Sequence, residues 1–546
     1  MGHVILSMGL GILCLCGAFA AGAEEGGSIR MDEPAFFRAL ELDAAELGAV
    51  RAAVDAEDWA GARAAFVGHL KARERPRWHR DWRERPRTPT PPGKPGKNQR
   101  IADDALEHRF TSTGLAHEFD GPIDWAHNPT AEPDSERAHN PEWTWQFNRH
   151  PFWQSLGWAY WETGDERYAE EFVREMTDWV RANPVPEPRA DQARFSRWRT
   201  IEAGIRMGHS WPDAFALFLS SPSFSDEAVV TMVRSMAEHA RYLLAHPTKG
   251  NWLTMEMNGL YTVGALFPEL RESAAWRRFA AERLRTELDT QFYPDGAQKE
   301  LAPGYHFVAL ENTRCVLRLA QLNGLEVPAG YAASMERLYT YPLMLMTPDR
   351  GLPPFNDSRW RANGLPRRMA EGHGHFPARD DFLWVATDGK EGRPPAETSH
   401  AFPYAGYVIQ RSGWDRDARY LAFDAGPFGT GHQHEDKLNF VLMAYGRRLI
   451  VEGGIYMYDA SPWRRYVLGP YAHNVVFVDG LGQNRRAAPE TREAAEPLPF
   501  VWHTTDRVDY AQASYGGASE GYGQEPQWIA THTRRILFVK NGADAP

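Results

Sequence analysis

The chain has 546 residues, with 61 Lys and Arg against 72 Asp and Glu and a formal net charge of −11. That length exceeds what one compact core supports, so two or more domains are expected. The acid excess argues against a generally basic nucleic-acid-binding face, yet it leaves room for a local basic cleft around an anionic ligand. Aromatic residues make up 12% of the sequence, including 20 Trp. Such a content suits sugar-binding grooves and large helical cores alike.

Residues 4–21, VILSMGLGILCLCGAFAA, form an apolar run ending in Ala21-Gly22-Ala23, before Glu24-Glu25. The run is short and Gly-broken for a membrane anchor. It reads as a secretory signal over 1–23, so an exported protein, periplasmic or secreted, is expected. Cleavage removes Cys14 and Cys16 and leaves Cys315, which excludes a disulfide framework within one chain.

Residues 24–100 form an N-terminal segment. Apolar spacing of three and four predicts helix over 33–78. The stretch RERPRTPTPPGKPGKNQR (83–100) is dense in Pro, Gly and cations and predicts a linker. From about 140 to 395 the chain reads as one helix after another, with breaks such as Thr163-Gly164-Asp165. This predicts helical hairpins in succession. No strict short repeat is evident, which favours a closed or nearly closed ring over a solenoid.

From 396 to 546 the period changes to two. YAGYVIQRSG, ARYLAFDAG, KLNFVLMAYGRRLIVEGG, HNVVFVDG and HTRRILFVKN read as strands of an antiparallel sheet domain. Tyr445-Gly446-Arg447 marks a hairpin turn. These runs are few for a sandwich, so the domain is small or its strands continue past 546.

The chemistry concentrates in GPFGTGHQHEDKLNF (426–440). His432 and His434 stand two apart, ahead of the alternation Leu438, Phe440, Leu442. On an extended backbone the two imidazoles project to the same side. They are candidates for proton transfer, for a metal, or for one of each.

Four stretches carry a resemblance: GNWLTMEMNGLYTVGALFPEL (250–270), DGAQKELAPGYHFVALENT (295–313), GHQHEDKLNF (431–440) and LIVEGGIYMYDASPWRRYVLGPYAHNVVFVDG (449–480). In this order and separation they resemble the heparinase II/III-like polysaccharide lyases. The resemblance implies an α+β multidomain protein, with an incomplete (α/α) toroid over 101–395 followed by an antiparallel β-sandwich over 396–546. It implies β-elimination on uronic-acid glycans such as heparan sulfate or alginate, so the expected partner is an anionic polysaccharide or oligosaccharide. That reaction removes the C5 proton, neutralises the neighbouring carboxylate and protonates the departing O4.

The resemblance gives Asn251 the carboxylate contact; read alone, Asn251 is a helix N-cap. Trp252 stands where many members carry His. Glu256, one turn on, orients a sugar or an Arg, or is a structural carboxylate. Tyr305 matches the catalytic tyrosine, as acid to O4 or, near positive charge, as base. His432 matches the histidine that acts as base or holds the carboxylate as imidazolium. With acid and base on one face Tyr305 serves both roles; from opposite faces His432 takes the C5 proton.

His434, Glu452 and His473 match a structural Zn²⁺ site completed by water, although relatives usually carry Asp at the position of Glu452. A metal-free histidine cluster is the other reading. Asn148, Arg149 and His150 fall where the family places substrate contacts. Trp198 and Arg199 join them, with Arg194, Arg197 and Arg206 nearby; Glu202 and Arg206 are spaced for an ion pair. Trp145, Trp198 and Trp252 can stack on sugars or fill a core. Asn356-Asp357-Ser358 is a loop contact or an Asx turn, and Tyr466 is a further cleft candidate. Two rivals are a non-catalytic glycan-binding protein on the same scaffold, and a glycoside hydrolase drawing on Glu256, Glu300 and Asp357.

Overall fold

A computed structural model of the chain describes residues 28–86, 95–133, 135, 137, 139–186, 197–360, 364–458, 461–486, 492–516, 521–523 and 530–540. The expected signal over 1–23 and Arg194 lie outside the described residues. Among the described residues no helix is long and apolar enough to cross a membrane. The chain divides into two compact units. One takes residues up to Arg73, Arg80–Pro247 and Glu269–Glu272; the other takes Glu74–His79, Thr248–Pro268 and Ser273–Pro546.

The first unit is mainly helical. Helix Pro151–Thr163 packs against Lys97–Leu106, Arg167–Ala182 and Trp211–Phe218. Trp143, Trp153, Trp179 and Trp211 are fully buried in its core. Indoles tolerate such burial when the N–H finds an acceptor. Trp153 donates to Glu175 Oε2 at 2.7 Å, and Trp179 to Asn148 Oδ1 at 2.9 Å. Two features depart from the sequence reading. The linker ends earlier, because helix Lys97–Leu106 begins directly after Gly96. A hairpin, β1 (Arg109–Ser112) and β2 (Leu115–Glu118), interrupts the helices. Its turn places Thr113 and Gly114 at φ 49° and 76°, the paired positive angles that two-residue hairpin loops demand.

The second unit joins helices to sheet. Helix Asn251–Leu266 packs on Ser273–Thr290, and Pro303–Thr313 on Tyr331–Leu345. A five-stranded antiparallel sheet follows in the order β3 (His400–Ala401), β4 (Tyr407–Arg411), β5 (Tyr420–Asp424), β6 (Phe440–Ala444), β7 (Arg447–Ile450). Its β6–β7 turn is Tyr445-Gly446, at φ 54° and 67°, as the sequence predicts. A three-stranded sheet runs β10 (Thr531–Val539), β9 (Val508–Gly516), β8 (Val501–Thr504).

Val408, Leu421 and Phe423 of the first sheet share one core with Ala511, Ala513, Tyr515 and Phe538 of the second. The domain is thus a sandwich of two antiparallel sheets. Both faces of β4 and β5 are buried, because the other face meets helical segments of the same unit. Tyr407 donates its hydroxyl to Leu301 O at 2.6 Å and Tyr420 to Leu345 O at 2.7 Å.

Three sequence expectations need correction here. HNVVFVDG forms no strand and only a single bridge, Val478 to Leu481. The side chain of Asn474 donates instead to Phe440 O and Val451 O, at 3.0 and 2.8 Å. It caps the ends of β6 and β7 in place of a ladder. Strand β6 starts at Phe440, since Leu438 sits at φ 61°. His432 is likewise not extended, at φ 59°.

Phe423 is fully buried between the sheets. Phe423→Ala is expected to destabilise this unit by about 3–5 kcal/mol, read as a lower midpoint in denaturant unfolding followed by far-ultraviolet circular dichroism.

Candidate active site

The site is built within the second unit by segments that cross on the tripeptide Asn356-Asp357-Ser358, and each residue does a separate job. Asn356 donates its amide to Leu301 O at 3.1 Å and accepts from the His434 backbone N–H at 2.9 Å. Ser358 accepts from the Gly304 N–H at 2.9 Å through Oγ, and from the Ile455 N–H at 2.9 Å through its carbonyl. The second approach needs a glycine. A Cβ on Gly454, at φ +60°, would lie 2.3 Å from Ser358 O.

Asp357 binds the chemistry-bearing side chains. Its Oδ2 lies 2.9 Å from His432 Nδ1, and its Oδ1 lies 2.9 Å from His434 Nε2. Arg464 grips both oxygens, Nη1 on Oδ1 at 2.5 Å and Nη2 on Oδ2 at 2.8 Å. Burial would raise this carboxyl, but the bonds from His432, His434 and Arg464 outweigh it and hold the pKa well below the carboxylate range. The two imidazoles therefore do face one point, through a shared carboxylate and not through strand geometry.

Tyr305 enters from the first turn of helix Pro303–Thr313, whose Pro303 suits the helix start. Its ring stacks on His432, centroids 3.6 Å apart and 18° from parallel. Its hydroxyl lies 2.6 Å from Tyr458 Oη, which lies 3.1 Å from His432 Nδ1. Burial raises the Tyr305 pKa, only partly offset by the Tyr458 bond, so the phenol holds its proton at neutral pH. Glu300, its carboxyl also raised by burial, stands 3.8 Å from His432 Nε2. A cavity of about 410 Å³ opens alongside, lined in part by Tyr305, Phe307, Asp357 and Arg368.

Next to this group lies a second cluster. His434, Glu452 and His473 are all buried, with potential ligand atoms within 4.8 Å of one another. His434 Nε2 points at Asp357, and His434 Nδ1 is buried without a hydrogen-bond partner among the described residues. His473 Nε2 lies 3.1 Å from Val467 O, a pure acceptor, and its Nδ1 lies 2.7 Å from Glu452 Oε1. Each histidine thus spends Nε2–H on an acceptor; His473 gives Nδ1 to Glu452, which Asn439 Nδ2 fixes at 2.6 Å, and His434 keeps an Nδ1 unbonded among the described residues. This donor set fits a cation.

Asn251 is the first residue of helix Asn251–Leu266; the cap itself is Gly250 at φ 65°. Asn251 makes no hydrogen bond to Tyr305 or His432, but Asn258 of its helix donates to Asn312 of the Tyr305 helix at 3.0 Å. Trp252 is 38% exposed. Glu256 is fully buried and accepts from Thr248 N and Oγ1, at 2.8 and 2.7 Å, so it fixes the approach to Asn251. Tyr466 is half exposed and donates to Tyr471 O at 3.1 Å.

The remaining candidates fall in the first unit. Asn148 is fully buried, donating to Trp125 O and Thr144 O, each at 2.9 Å, while its oxygen receives Trp179. His150 is stacked on Trp153 at 4.1 Å, and burial lowers its pKa well below the usual imidazole value. Trp198 is buried and donates to Asn183 O at 3.1 Å. These three are core residues whose polar groups face protein. Arg149 and Arg199 each pair with buried Glu202, at 2.9 Å. Arg206 does not form the expected pair with Glu202. It contacts His239, Asn148 O and Arg197 O, and burial pushes its pKa down to about 9.

Residues 36–384 match the family described as Heparinase II/III N-terminus, and residues 394–545 match Heparinase II/III-like, C-terminal. The chain belongs to the heparinase II/III family. A heparin-sulfate lyase of Bacteroides stercoris is 30% identical over 477 residues, covering 81% of this chain and 66% of that protein. One from Pedobacter heparinus is 30% identical over 453 residues, covering 80% and 64%. The chain thus spans about two-thirds of the length of these curated relatives. A solved heparinase III superposes with a TM-score of 0.73 at 26% identity, covering 94% of this chain and 78% of that one. A heparan sulfate lyase structure from Pedobacter heparinus gives 0.66 at 27%, covering 93% and 77%.

Sequence reasoning on this heparinase II/III chain missed Tyr458, Arg464 and Asn439, and left Asp357 as a loop contact. Tyr458 lies outside helix and strand and Arg464 in the short helix Pro462–Leu468, so the pair carries no shared periodic signal; its nearness in sequence to the histidine motif was the available hint.

The Asp357 carboxyl titrates below its ordinary value of about 3.9. Its contribution to stability is present above that value and is lost as pH falls through the depressed native pKa. Arg464→Gln is expected to cost about 3–5 kcal/mol at neutral pH and to move acid unfolding to higher pH. An unchanged acid transition would contradict this.

Proposed function

We propose that the protein is a polysaccharide lyase acting on a heparan-sulfate-type, uronic-acid-containing glycan by β-elimination. The heparin-sulfate lyase relatives support the substrate class. The observation that carries the chemistry is the Tyr305–His432 stack held on Asp357. With His432 Nδ1–H given to Asp357, Nε2 keeps its lone pair and serves as the base for the C5 proton. The C5–H electrons form the C4=C5 bond, the C4–O4 bond breaks, and O4 takes the Tyr305 proton. Asn251 donates its side-chain amide to the uronate carboxylate, easing the negative charge that builds there.

Tyr305 Oη and His432 Nδ1 both lie within hydrogen-bond reach of the single Tyr458 hydroxyl. The Tyr305 ring also lies flat on His432, centroids 3.6 Å apart, so in this reading acid and base reach the sugar from one side, with His432 and not Tyr305 as the base. This favours syn elimination, and so the epimer whose C5–H and O4 share a face, glucuronate over iduronate. The hydrolase reading lacks a carboxylate pair: both Asp357 oxygens are engaged, and Glu256 is committed to Thr248.

His434, Glu452 and His473 form the Zn²⁺ site in this reading. A bound zinc would cross-link the loops carrying them and fix the segment from which His432 projects. The N-terminal apolar run directs export.

Full-length protein is expected to generate the ultraviolet absorbance of an unsaturated uronyl end from a glucuronate-rich heparan sulfate. The rate should be lower on iduronate-rich chains, and alginate, hyaluronan and chondroitin serve as comparisons. Tyr305→Phe should lower kcat by about 10²–10⁴-fold with KM little changed. Full activity in that variant, or products with saturated ends, would overturn the mechanism. His434→Ala should release one zinc per chain and lower the melting temperature; unchanged metal content would leave a metal-free cluster as the correct reading.

A further inference from the structure

The first unit contains a second imidazole–carboxylate cluster that the elimination chemistry does not use. His117 lies on β2, His127 in the loop that follows, and Glu132 five residues later. One potential ligand atom from each lies within 4.8 Å of the other two. The two imidazole rings are packed face to face, with centroids 4.0 Å apart and a 31° tilt. His127 Nε2 is 3.1 Å from Glu132 Oε1. Yet that nitrogen is buried and lacks a hydrogen bond of acceptable geometry. A nitrogen and a carboxylate oxygen at this distance, without an aligned proton between them, are arranged as ligands are around a cation.

The surroundings are built to hold the pair. Trp143 Nε1 donates to Leu115 O at 2.9 Å and pins β2. Thr144 Oγ1 donates to His127 O at 2.8 Å, while His117 is paired across the hairpin with Phe110. Phe119 lies edge-on to both imidazoles, at 4.7 and 5.5 Å, and Trp143 edge-on at 6.1 and 6.2 Å. Phe119 and Trp143 thus wall the two imidazoles, and the third member, Glu132, is exposed. The charged groups facing the pair are acidic: Glu132 directly and Asp120 at longer range.

We propose that His117, His127 and Glu132 bind a divalent transition-metal ion such as Zn²⁺, fastening the β1–β2 hairpin to the loop that follows. Two imidazoles and one carboxylate, with water in the remaining position, suit that ion. Tetrahedral ligands at the usual zinc distances lie about 3.3 Å from one another, so the exposed Glu132 side chain and one imidazole must draw in on binding. The site is distinct from His434, Glu452 and His473, which belong to the second unit.

The test is the zinc content of full-length protein, purified, loaded with Zn²⁺ and passed through a weak chelator, together with the visible spectrum of the Co²⁺-loaded form. His117→Ala and His127→Ala should each lower the content by one ion per chain relative to wild type, whatever is bound at the other triad. The loss should add to that of His434→Ala. Glu132→Gln, at an exposed position, should keep the fold and weaken zinc binding at least about tenfold. Wild-type zinc content in His127→Ala, or wild-type zinc affinity in the folded Glu132→Gln protein, overturns the proposal.

Discussion

The carboxylate of Asp357 is the point on which the site depends. It is fully buried, and a buried charge is costly unless every lone pair is matched by a donor. Here two imidazoles and one guanidinium supply the match. The same bonds assign a job to each partner. His432 is left with Nε2 free of Asp357 and 3.8 Å from Glu300, and His434 is left with a buried Nδ1 that has no hydrogen-bond partner among the described residues. In the proposed reading, one anion thus separates two equivalent-looking histidines into a proton carrier and a ligand. Arg464 supplies the positive charge that lets the carboxylate stay ionised, and its guanidinium also sits 5.0 Å over the Tyr458 ring.

The backbone follows from this requirement. His432 adopts φ 59° and Asn356 φ 53°, conformations that cost energy for residues other than glycine and persist only where surroundings over-determine them. The over-determination is visible on both sides. Asn356 clips the His434 backbone. Thr430 N–H donates to Lys299 O at 3.0 Å, where a Cβ on Gly429 would lie 2.5 Å from Glu300 O. The histidine loop is therefore fastened to the segment that leads into Tyr305, and the stack of Tyr305 on His432 is set by these main-chain bonds before any substrate arrives.

Much of this was legible in the sequence, and the exceptions have physical reasons. Period and punctuation gave the change from helix to strand near 400 and the Tyr445-Gly446 turn, because both are local properties. The histidine motif singled out His432 and His434, and the family resemblance added Tyr305, Glu452 and His473. Strand Val508–Gly516 escaped notice because its inward residues are Asp509, two Ala and Tyr515, a weak apolar stripe. HNVVFVDG misled in the other direction: its valines suggest a ladder, but the Asn474 side chain takes the backbone partners a ladder would use. Asn148 and His150 look like polar contact residues in a string of letters. In the fold they accept the indole protons of Trp179 and Trp211, a pairing that only the tertiary structure reveals.

The most direct measurement of the central claim is the tautomer of His432, read from ¹⁵N chemical shifts and long-range proton correlations of selectively labelled protein near neutral pH. An Nδ1–H tautomer with an unprotonated Nε2, lost in Asp357→Asn, is the predicted result. An Nε2–H tautomer, or the same spectrum with and without the Asp357 carboxylate, would contradict the account.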